Sequence, residues 1–262
     1  MQCVMLPAMC FVLLALGQHP DFPLILASNR DEYFHRSALP VHNWEDYPTI
    51  IAGKDVESGG SWLALNQYDK RLALITNYRS GLPQSGERSR GLIVRDMVTH
   101  SDGITIGLQQ LQNQQYAYAG FNLLTGYLTD KFYYFSNRNT SGVLPLQPGL
   151  YALSNAFLDT PWPKAQRGKN CLKTLMKLPH DLLIEALLTL LADTTPAAEA
   201  ELPDTGIGLE KEKWLSSIFI VGEVYGTRCS SVILRDKQGQ ITFLERTYNH
   251  RRQIIRDVVL SI

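Results

Sequence analysis

The first sixteen residues are almost wholly apolar, and this run most constrains what the chain can fold into. Only Gln2 is polar, and no Lys or Arg occurs before Arg30, whereas a secretory signal begins with a basic segment. The run is also too short to span a bilayer, so no stable membrane insertion is expected. Residues 10–16 have the length and the unbroken apolar character of a buried β-strand, which the sequence therefore predicts.

Further runs of strand length occur towards both ends of the chain, and helical periodicity is confined to its middle. Strands are predicted at residues 23–28, 49–53, 61–66, 71–77, 119–125, 131–137, 150–154, 218–221, 230–234, 241–245 and 254–260. Apolar residues at helix spacing predict helices at 91–100, 105–113, 164–177 and 180–192. Residues 79–90 are predicted to form a loop, and residues 194–213 a long loop or lid. Hairpin-rich strands with segregated helices favour one layered α+β domain.

Composition excludes several classes of protein. The 262 residues carry 25 basic and 25 acidic side chains, and this balance gives no basic patch of the kind that binds nucleic acid. Four cysteines occur without Cys-x-x-Cys or a zinc-type Cys/His spacing, which favours a reducing, cytoplasmic location and no metal site. The sequence also lacks a P-loop, a dinucleotide-binding fingerprint and Gly-x-Ser-x-Gly.

Polar groups follow or precede several of the predicted strands. Asn29-Arg30-Asp31-Glu32 comes directly after one of them, and is either a solvated turn or a charge cluster that positions a reacting group. Four similar groups are Gly59-Gly60-Ser61-Trp62, Asn77-Tyr78-Arg79, Ser154-Asn155 and Tyr225-Gly226-Thr227-Arg228-Cys229. Each also has an ordinary structural explanation as a turn, bulge or cap. The residues alone leave both interpretations open.

Taken in order, these groups resemble the NRDE family, also called the transport and Golgi organisation family. The resemblance rests on Met9-Cys10, Asn29-Arg30-Asp31-Glu32, Gly59-Gly60-Ser61-Trp62-Leu63, Thr76-Asn77-Tyr78-Arg79, Ser89-Arg90-Gly91, Gly120-Phe121-Asn122-Leu123, Leu153-Ser154-Asn155, Thr160-Pro161-Trp162 and Tyr225-Gly226-Thr227-Arg228. The sequence departs from the family at Ala64, where Gly is usual, and at Cys229, where Ser is common. Residues 1–8 precede the family's usual Met-Cys start.

The resemblance implies an α+β fold similar to that of N-terminal-nucleophile hydrolases, a four-layer αββα sandwich. It also implies a single domain at residues 10–262, with residues 1–9 as a leader absent from the mature chain. Such hydrolases attack amide bonds with an N-terminal residue whose free α-amine is the base, and in this sequence Cys10 fits that position.

The same analogy assigns roles to other residues, which are expected to converge on one cleft beside Cys10. Asp31 would hold the α-amine, and Arg30 would lie near the thiolate. Asn77 and Asn155 would donate hydrogen bonds to the oxyanion. The residues expected to contact a ligand are Asn29, Trp62, Tyr78, Arg79 and Arg228, of which Arg228 would orient a carboxylate or propionate.

The resemblance implies a carrier as well as an enzyme. Family members are implicated in haem trafficking and in lipid or acyl-thioester metabolism. The chain is therefore expected to bind haem as a transported small molecule and pass it to haem-acceptor proteins, and to require no cofactor. The alternatives are a cysteine amidohydrolase that cleaves C–N bonds with Cys10, or a protein that handles acyl thioesters. Haem ligation by His, Cys, Met or Tyr stays open.

Overall fold

A computed structural model of the chain describes residues 9–80 and 86–262. The predicted leader, apart from Met9, and part of the loop predicted at 79–90 lie outside the described residues. The strands are β1 (Met9–Leu16), β2 (Leu24–Tyr33), β3 (Ala38–Asn43), β4 (Ile50–Asp55), β5 (Leu63–Asn66), β6 (Arg71–Asn77), β7 (Phe121–Tyr127), β8 (Phe132–Ser136), β9 (Leu144–Leu146), β10 (Gly149–Leu153), β11 (Tyr225–Arg235), β12 (Ile241–Tyr248) and β13 (Ile254–Ser261). The helices are α1 (Gly91–Thr99), α2 (Gly103–Gln114), α3 (Pro163–Leu175), α4 (His180–Leu191) and α5 (Leu209–Trp214).

Two compact units divide the described residues. The first unit holds residues 9–35, 79–80 and 148–262, and the second holds residues 36–78 and 86–147. Each unit contains one antiparallel sheet and the helices that pack on it.

The sheet of the first unit has six strands in the order β10-β1-β2-β11-β12-β13. Alternate residues of β1 and β2, among them Phe11, Leu13 and Ile25, form a buried core with apolar residues of α3 and α4. Phe11 and Leu13 lie two residues apart on one strand and so point to the same face. The helices therefore cover one face of this sheet, and the remaining alternate residues of β1 and β2 point to its other face.

The second unit has a seven-stranded sheet in the order β3-β4-β5-β6-β7-β8-β9. Its core joins apolar residues of β4, β6 and β7 to Val94 and Met97 of α1 and to Leu108 of α2. Trp44 is buried in the same core, and its indole N–H donates to the carbonyl oxygen of Ala52 at 3.1 Å. The helical residues recur every three or four positions, as expected for helices that bury one side.

The α+β class predicted from the sequence is confirmed, and most elements lie within a few residues of their predicted bounds. Two polar groups were placed wrongly. The segment from Asn29 to Glu32 lies inside β2 rather than after it, because β1 pairs with this strand on one side and β11 on the other. Residues 225–229 likewise belong to β11 rather than to a turn.

The strand predicted at 218–221 is wrong. The backbone there follows no ladder, since the N–H of Phe219 donates to the Asp193 carbonyl at 2.8 Å and that of Ile220 to Thr227 Oγ1 at 2.9 Å. The sequence analysis also missed β3, of which only Val41 is buried, and β9, which is three residues long and largely exposed. It missed α5 as well, which lies in the segment predicted to be a loop.

No helix within residues 9–80 and 86–262 is long and apolar enough to cross a membrane.

Close packing of α3 on β1 depends on Gly168. A Cβ atom at that position would lie 2.6 Å from Cζ of Phe11 and 3.2 Å from Cδ2 of Leu13. Gly168→Leu should therefore lower the free energy of unfolding by about 1–3 kcal/mol, although Leu favours helix more than Gly does. Urea denaturation would measure this, with Gln166→Leu at an exposed position of the same helix as the control. Equal stability of the two variants would contradict the packing.

Candidate functional site

The centre of the candidate site is Arg30 of β2, which lies between two cysteines. Cys10 of β1 is its Cα partner on one side, and Cys229 of β11 is its partner on the other. Residues directly opposite each other in antiparallel strands point to the same face. Both thiols therefore flank Arg30 on one face of the sheet, the face that does not carry Phe11 and Leu13.

The Cys10 thiol is protonated at neutral pH in this environment. The residue is only 8 % exposed. Burial and the negative charge of Asp31 raise the pKa of the thiol to about 12, against the opposing influence of Arg30. Arg30 also forms an ion pair with Glu32, its neighbour on the same face, at 3.7 Å. A reactive thiolate at Cys10 would need an additional cation or a base beside it.

Asp31 points to the helix-covered face, opposite to Arg30, because adjacent residues of a strand alternate. It is fully buried, and its Oδ1 accepts a hydrogen bond from Thr227 Oγ1 at 2.6 Å. Thr227 Oγ1 also accepts a hydrogen bond from the Ile220 N–H at 2.9 Å. Its other oxygen, Oδ2, has no hydrogen-bond partner in the described part of the chain.

A buried lysine approaches this carboxyl group from the first turn of α3. Lys164 is 1 % exposed, and its Nζ donates to the Leu215 carbonyl at 3.0 Å. Burial lowers the pKa of Lys164, and the negative charge of Asp31 opposes that shift. Burial likewise raises the pKa of Asp31, while the charge of Lys164 lowers it. Asp31 and Lys164 are therefore two buried titratable groups, and no hydrogen bond joins Asp31 Oδ2 to Lys164.

Asn155 lies beside Cys10, immediately beyond the end of β10. The antiparallel register that pairs Val12 with Leu153 brings Asn155 opposite Cys10 when it is continued by two residues. The neighbouring Ser154 supports this placement, because its Oγ donates to the Cys10 carbonyl at 3.2 Å. The backbone N–H of Arg79 in turn donates to the Asn155 carbonyl at 2.8 Å. Asn155 is completely buried.

The side-chain amide of Asn29 forms hydrogen bonds that link several elements of the first unit. Its Nδ2 donates to the carbonyl oxygens of Leu191 at 2.8 Å and Ile218 at 2.9 Å, and its Oδ1 accepts from Ser230 Oγ at 2.6 Å. These bonds tie the end of α4 and the irregular segment at 218 to β2 and β11. Both amide hydrogens of this expected ligand-binding residue are therefore engaged within the fold.

A β-bulge at Arg228 interrupts β11, since Thr227 pairs with Asp31 but Cys229 pairs with Arg30. The bulged side chain donates from Nη1 to the Tyr33 carbonyl at 2.7 Å and lies over the Phe34 ring, 5.3 Å from its centroid. Burial, followed by the charge of Arg30, lowers the pKa of Arg228. The bulge thus adds a second, half-buried cation beside Arg30.

The structure places the expected site residues in two groups. The first unit brings together Cys10, Arg30, Asp31 and Asn155, with Asn29, Arg79 and Arg228 around them. Asn77 ends β6 in the second unit, where Trp62 and Tyr78 also lie. The convergence of these three residues with Cys10 stays a prediction.

Sequence analysis missed three buried polar residues of the site. They are Lys164, Glu212 and, as a partner of Asp31, Thr227. The sequence around Lys164 does not mark it as buried, because a lysine in the first turn of a helix is usually solvated. Glu212 lies in the segment predicted to be a loop, where nothing in the sequence marks it as buried.

Comparisons with known proteins agree on one family. The family model described as "Transport and Golgi organisation 2" matches residues 9–250. The Bos taurus Transport and Golgi organization protein 2 homolog is 33 % identical over 261 residues, covering 91 % of this chain and 93 % of its own. The Homo sapiens homolog is 33 % identical over 264 residues with the same coverage, and the Drosophila melanogaster protein is 28 % identical over 261 residues, covering 91 % and 92 %.

A solved structure has the same fold. It is the Caenorhabditis elegans N-acylethanolamine-hydrolyzing acid amidase ortholog, with a TM-score of 0.50 and 11 % identity over 86 % of this chain and 92 % of that one. A likeness at this low identity establishes the fold alone. It confirms the expected fold, similar to that of N-terminal-nucleophile hydrolases.

The burial of Asp31 predicts a pH-dependent stability. Its folded-state pKa of about 7 lies above its ordinary value of 3.8, so the folded protein binds this proton more tightly than the unfolded chain does. The unsubstituted protein should therefore lose stability as pH rises through this window. Asp31→Asn does not titrate, and its advantage in unfolding free energy should grow with pH and exceed about 1 kcal/mol at pH 8. Urea denaturation between pH 4 and 8 would measure this, with exposed Asp130→Asn as the control. A pH-independent difference would contradict it.

Proposed function

Because the chain belongs to the Transport and Golgi organisation 2 family and has a fold like that of N-terminal-nucleophile hydrolases, we propose that it hydrolyses acyl amides with Cys10 as the nucleophile. The single observation that carries this proposal is the fully buried Oδ2 of Asp31, on the strand next to Cys10, which has no hydrogen-bond partner among the described residues. A buried carboxylate oxygen without a donor is costly, and a nearby cation would stabilise it. A chain beginning at Cys10 would supply that cation as its α-ammonium group.

The free α-amine would also explain how the Cys10 thiol loses its proton. In the uncut chain, burial keeps the Cys10 proton on sulfur at neutral pH. An α-amine titrates near pH 8, so its neutral form accepts the thiol proton and the resulting ammonium stabilises the thiolate. Arg30, directly across the ladder, adds a second positive charge on the thiolate's side of the sheet.

The reaction then follows the usual course of acyl transfer. The thiolate attacks the amide carbonyl carbon, and the Asn155 amide donates to the oxygen that becomes negative. The α-ammonium gives its proton to the leaving nitrogen as the C–N bond breaks. Water hydrolyses the resulting thioester with the same amine as base, which regenerates the Cys10 thiol.

The structural relative suggests the first substrate class to test. That protein is named for the hydrolysis of N-acylethanolamines, which are neutral acyl amides. The alternative of acyl-thioester handling fits the same nucleophile, because a thioester carbonyl reacts with a thiolate in the same way. A cytoplasmic location forms part of the proposal, since Cys10 must stay reduced.

Haem transport is the second candidate, and family membership supports it, because the relatives are named for transport and Golgi organization. In this alternative the protein binds haem and passes it to acceptor proteins. Two of the described histidines are engaged elsewhere. Both ring nitrogens of His19 contact backbone groups of Asp21, Phe22 and Leu178, and those of His100 contact Gln110 and Asp102. A carrier would therefore use another ligand or none.

The two candidates differ in what Cys10 does. We expect the chain that begins at Cys10 to hydrolyse a long-chain N-acylethanolamine, and Cys10→Ala to lower turnover by at least about 10³-fold because nucleophile and base are both disturbed. Cys229→Ser, which changes the other thiol beside Arg30, is the matched control and should retain turnover. Haem titration of the same samples tests the carrier. Reversible haem binding and transfer, with no Cys10-dependent hydrolysis, would overturn the hydrolase proposal.

The start of the active chain is a separate prediction. Intact-mass analysis of protein from its native host should give a chain that begins at Cys10, because only then is its α-amine free. The control is the same protein carrying Cys10→Ala, analysed for its N-terminus and turnover together. A protein that retains residues 1–9 and is fully active would contradict both this start and the role of the amine.

A further inference from the structure

Arg79 is a buried cation whose hydrogen-bonding capacity is largely unused. Its side chain is 3 % exposed, and its guanidinium carbon lies 4.5 Å from the centroid of the Trp162 ring. Nη2 approaches Glu212 Oε2 at 3.1 Å, but Nε and Nη1 have no acceptor among the described residues. Buried donors left without acceptors are costly, so this arrangement favours the binding of an acceptor.

Glu212 does not supply an acceptor for Nε and Nη1 of Arg79, because its other carboxylate oxygen already accepts hydrogen bonds from another residue. Oε1 accepts from the backbone N–H of Thr205 at 2.9 Å and from the hydroxyl of the same residue. Those bonds hold the carboxylate in place from one side. Arg79 is thus fixed by the Trp162 ring and by one contact to Glu212, with its remaining donors available.

The backbone places Arg79 within reach of the proposed nucleophile. Its N–H bonds to the Asn155 carbonyl, and Asn155 lies opposite Cys10 in the continued register of β10 and β1. One strand spacing from Cys10 to Asn155 and one backbone hydrogen bond from Asn155 to Arg79 together correspond to about 10 Å between Cα atoms. A single small molecule bound at Cys10 can span that distance.

Charge selects the kind of acceptor. The ionisable side chains that interact electrostatically in this region include the cations Arg79 and Lys164 and the anions Glu212 and Asp31. In the proposed mature chain the Cys10 thiolate balances the α-ammonium, so these groups together carry no net charge. The two unused donors of Arg79 therefore match a monoanionic carboxylate, whereas a dianion would face Glu212 with two negative charges.

We propose that Arg79 is a specificity-determining residue that binds a carboxylate of the substrate, so that acyl amides bearing a free carboxylate, such as N-acyl amino acids, are preferred over neutral acyl amides. The inference rests on the proposed hydrolase function for the identity of the reaction. The carboxylate site itself is a matter of binding, and can be tested without turnover. Arginine suits this role because its planar group presents several donors to a carboxylate.

The test uses the full chain carrying Cys10→Ala, which binds without cleaving. Calorimetry compares N-lauroylglycine with N-lauroylglycinamide, which differ only in the carboxylate. We expect the carboxylate to bind at least about 10-fold tighter, as a charge-assisted hydrogen bond to a buried cation requires. Adding Arg79→Gln should bring the ratio of the two affinities close to one, and Arg79→Lys should lower it in part. Equal binding of both ligands before substitution would overturn the proposal, as would an equal loss of both in Arg79→Gln.

A second variant covers the case in which Arg79→Gln does not fold. Glu212→Gln keeps the shape of the side chain and removes the negative charge beside Arg79. The affinity ratio in favour of the carboxylate should then rise several-fold, and an unchanged or smaller ratio would contradict the proposal. Hydrolysis by the chain with Cys10 intact is measured separately. A preference for the carboxylate without hydrolysis would support the carboxylate site and refute the hydrolase proposal. Hydrolysis without that preference would support the hydrolase proposal and refute the carboxylate site.

Discussion

Pairing of β2 with β1 on one side and β11 on the other is the constraint on which the rest of the site depends. It holds four consecutive polar residues in extended backbone inside the sheet, so that their side chains alternate between its two faces. Arg30 and Glu32 share the face of the two thiols, and Asn29 and Asp31 share the face of the helices. One short segment therefore supplies groups to both sides of the start of β1.

The helix-covered face shows how the polar residues are tolerated there. Asn29 is fully engaged with backbone carbonyls and with Ser230, so its burial is compensated. Within residues 9–80 and 86–262, only one oxygen of Asp31 accepts a hydrogen bond, and the nearby Lys164 donates instead to the Leu215 carbonyl. A protein that merely needed a stable sheet would place apolar residues at 31 and 164, because buried ionic groups rarely stabilise a fold more than packed hydrophobic ones do. This imbalance is the physical argument for a function at this end of β1.

The sheet ladder also links the nucleophile to more distant groups. From Cys10 a series of hydrogen bonds runs through Ser154 and Asn155 to Arg79, which packs on Trp162 and reaches Glu212 of α5. Residues far apart in the chain thus become neighbours in steps of one strand spacing. A substrate that extends from Cys10 along this line would meet an amide, a cation and an aromatic ring in turn.

The sequence by itself determined the class of the fold, because the apolar periods of 2 and 3.6 depend on local spacing and predict β1, β6 and the helices α1 to α4 well. It also marked the residues of the NRDE segment, through the order of its motifs. Only the tertiary structure decided that this segment is a buried central strand, since that depends on pairing with β11, almost two hundred residues later in the chain. The same holds for Lys164 and Glu212. A lysine and a glutamate in a polar segment look solvent-exposed until the packing of α3 and α5 removes them from water, and burial is a property of the folded assembly that no local pattern encodes.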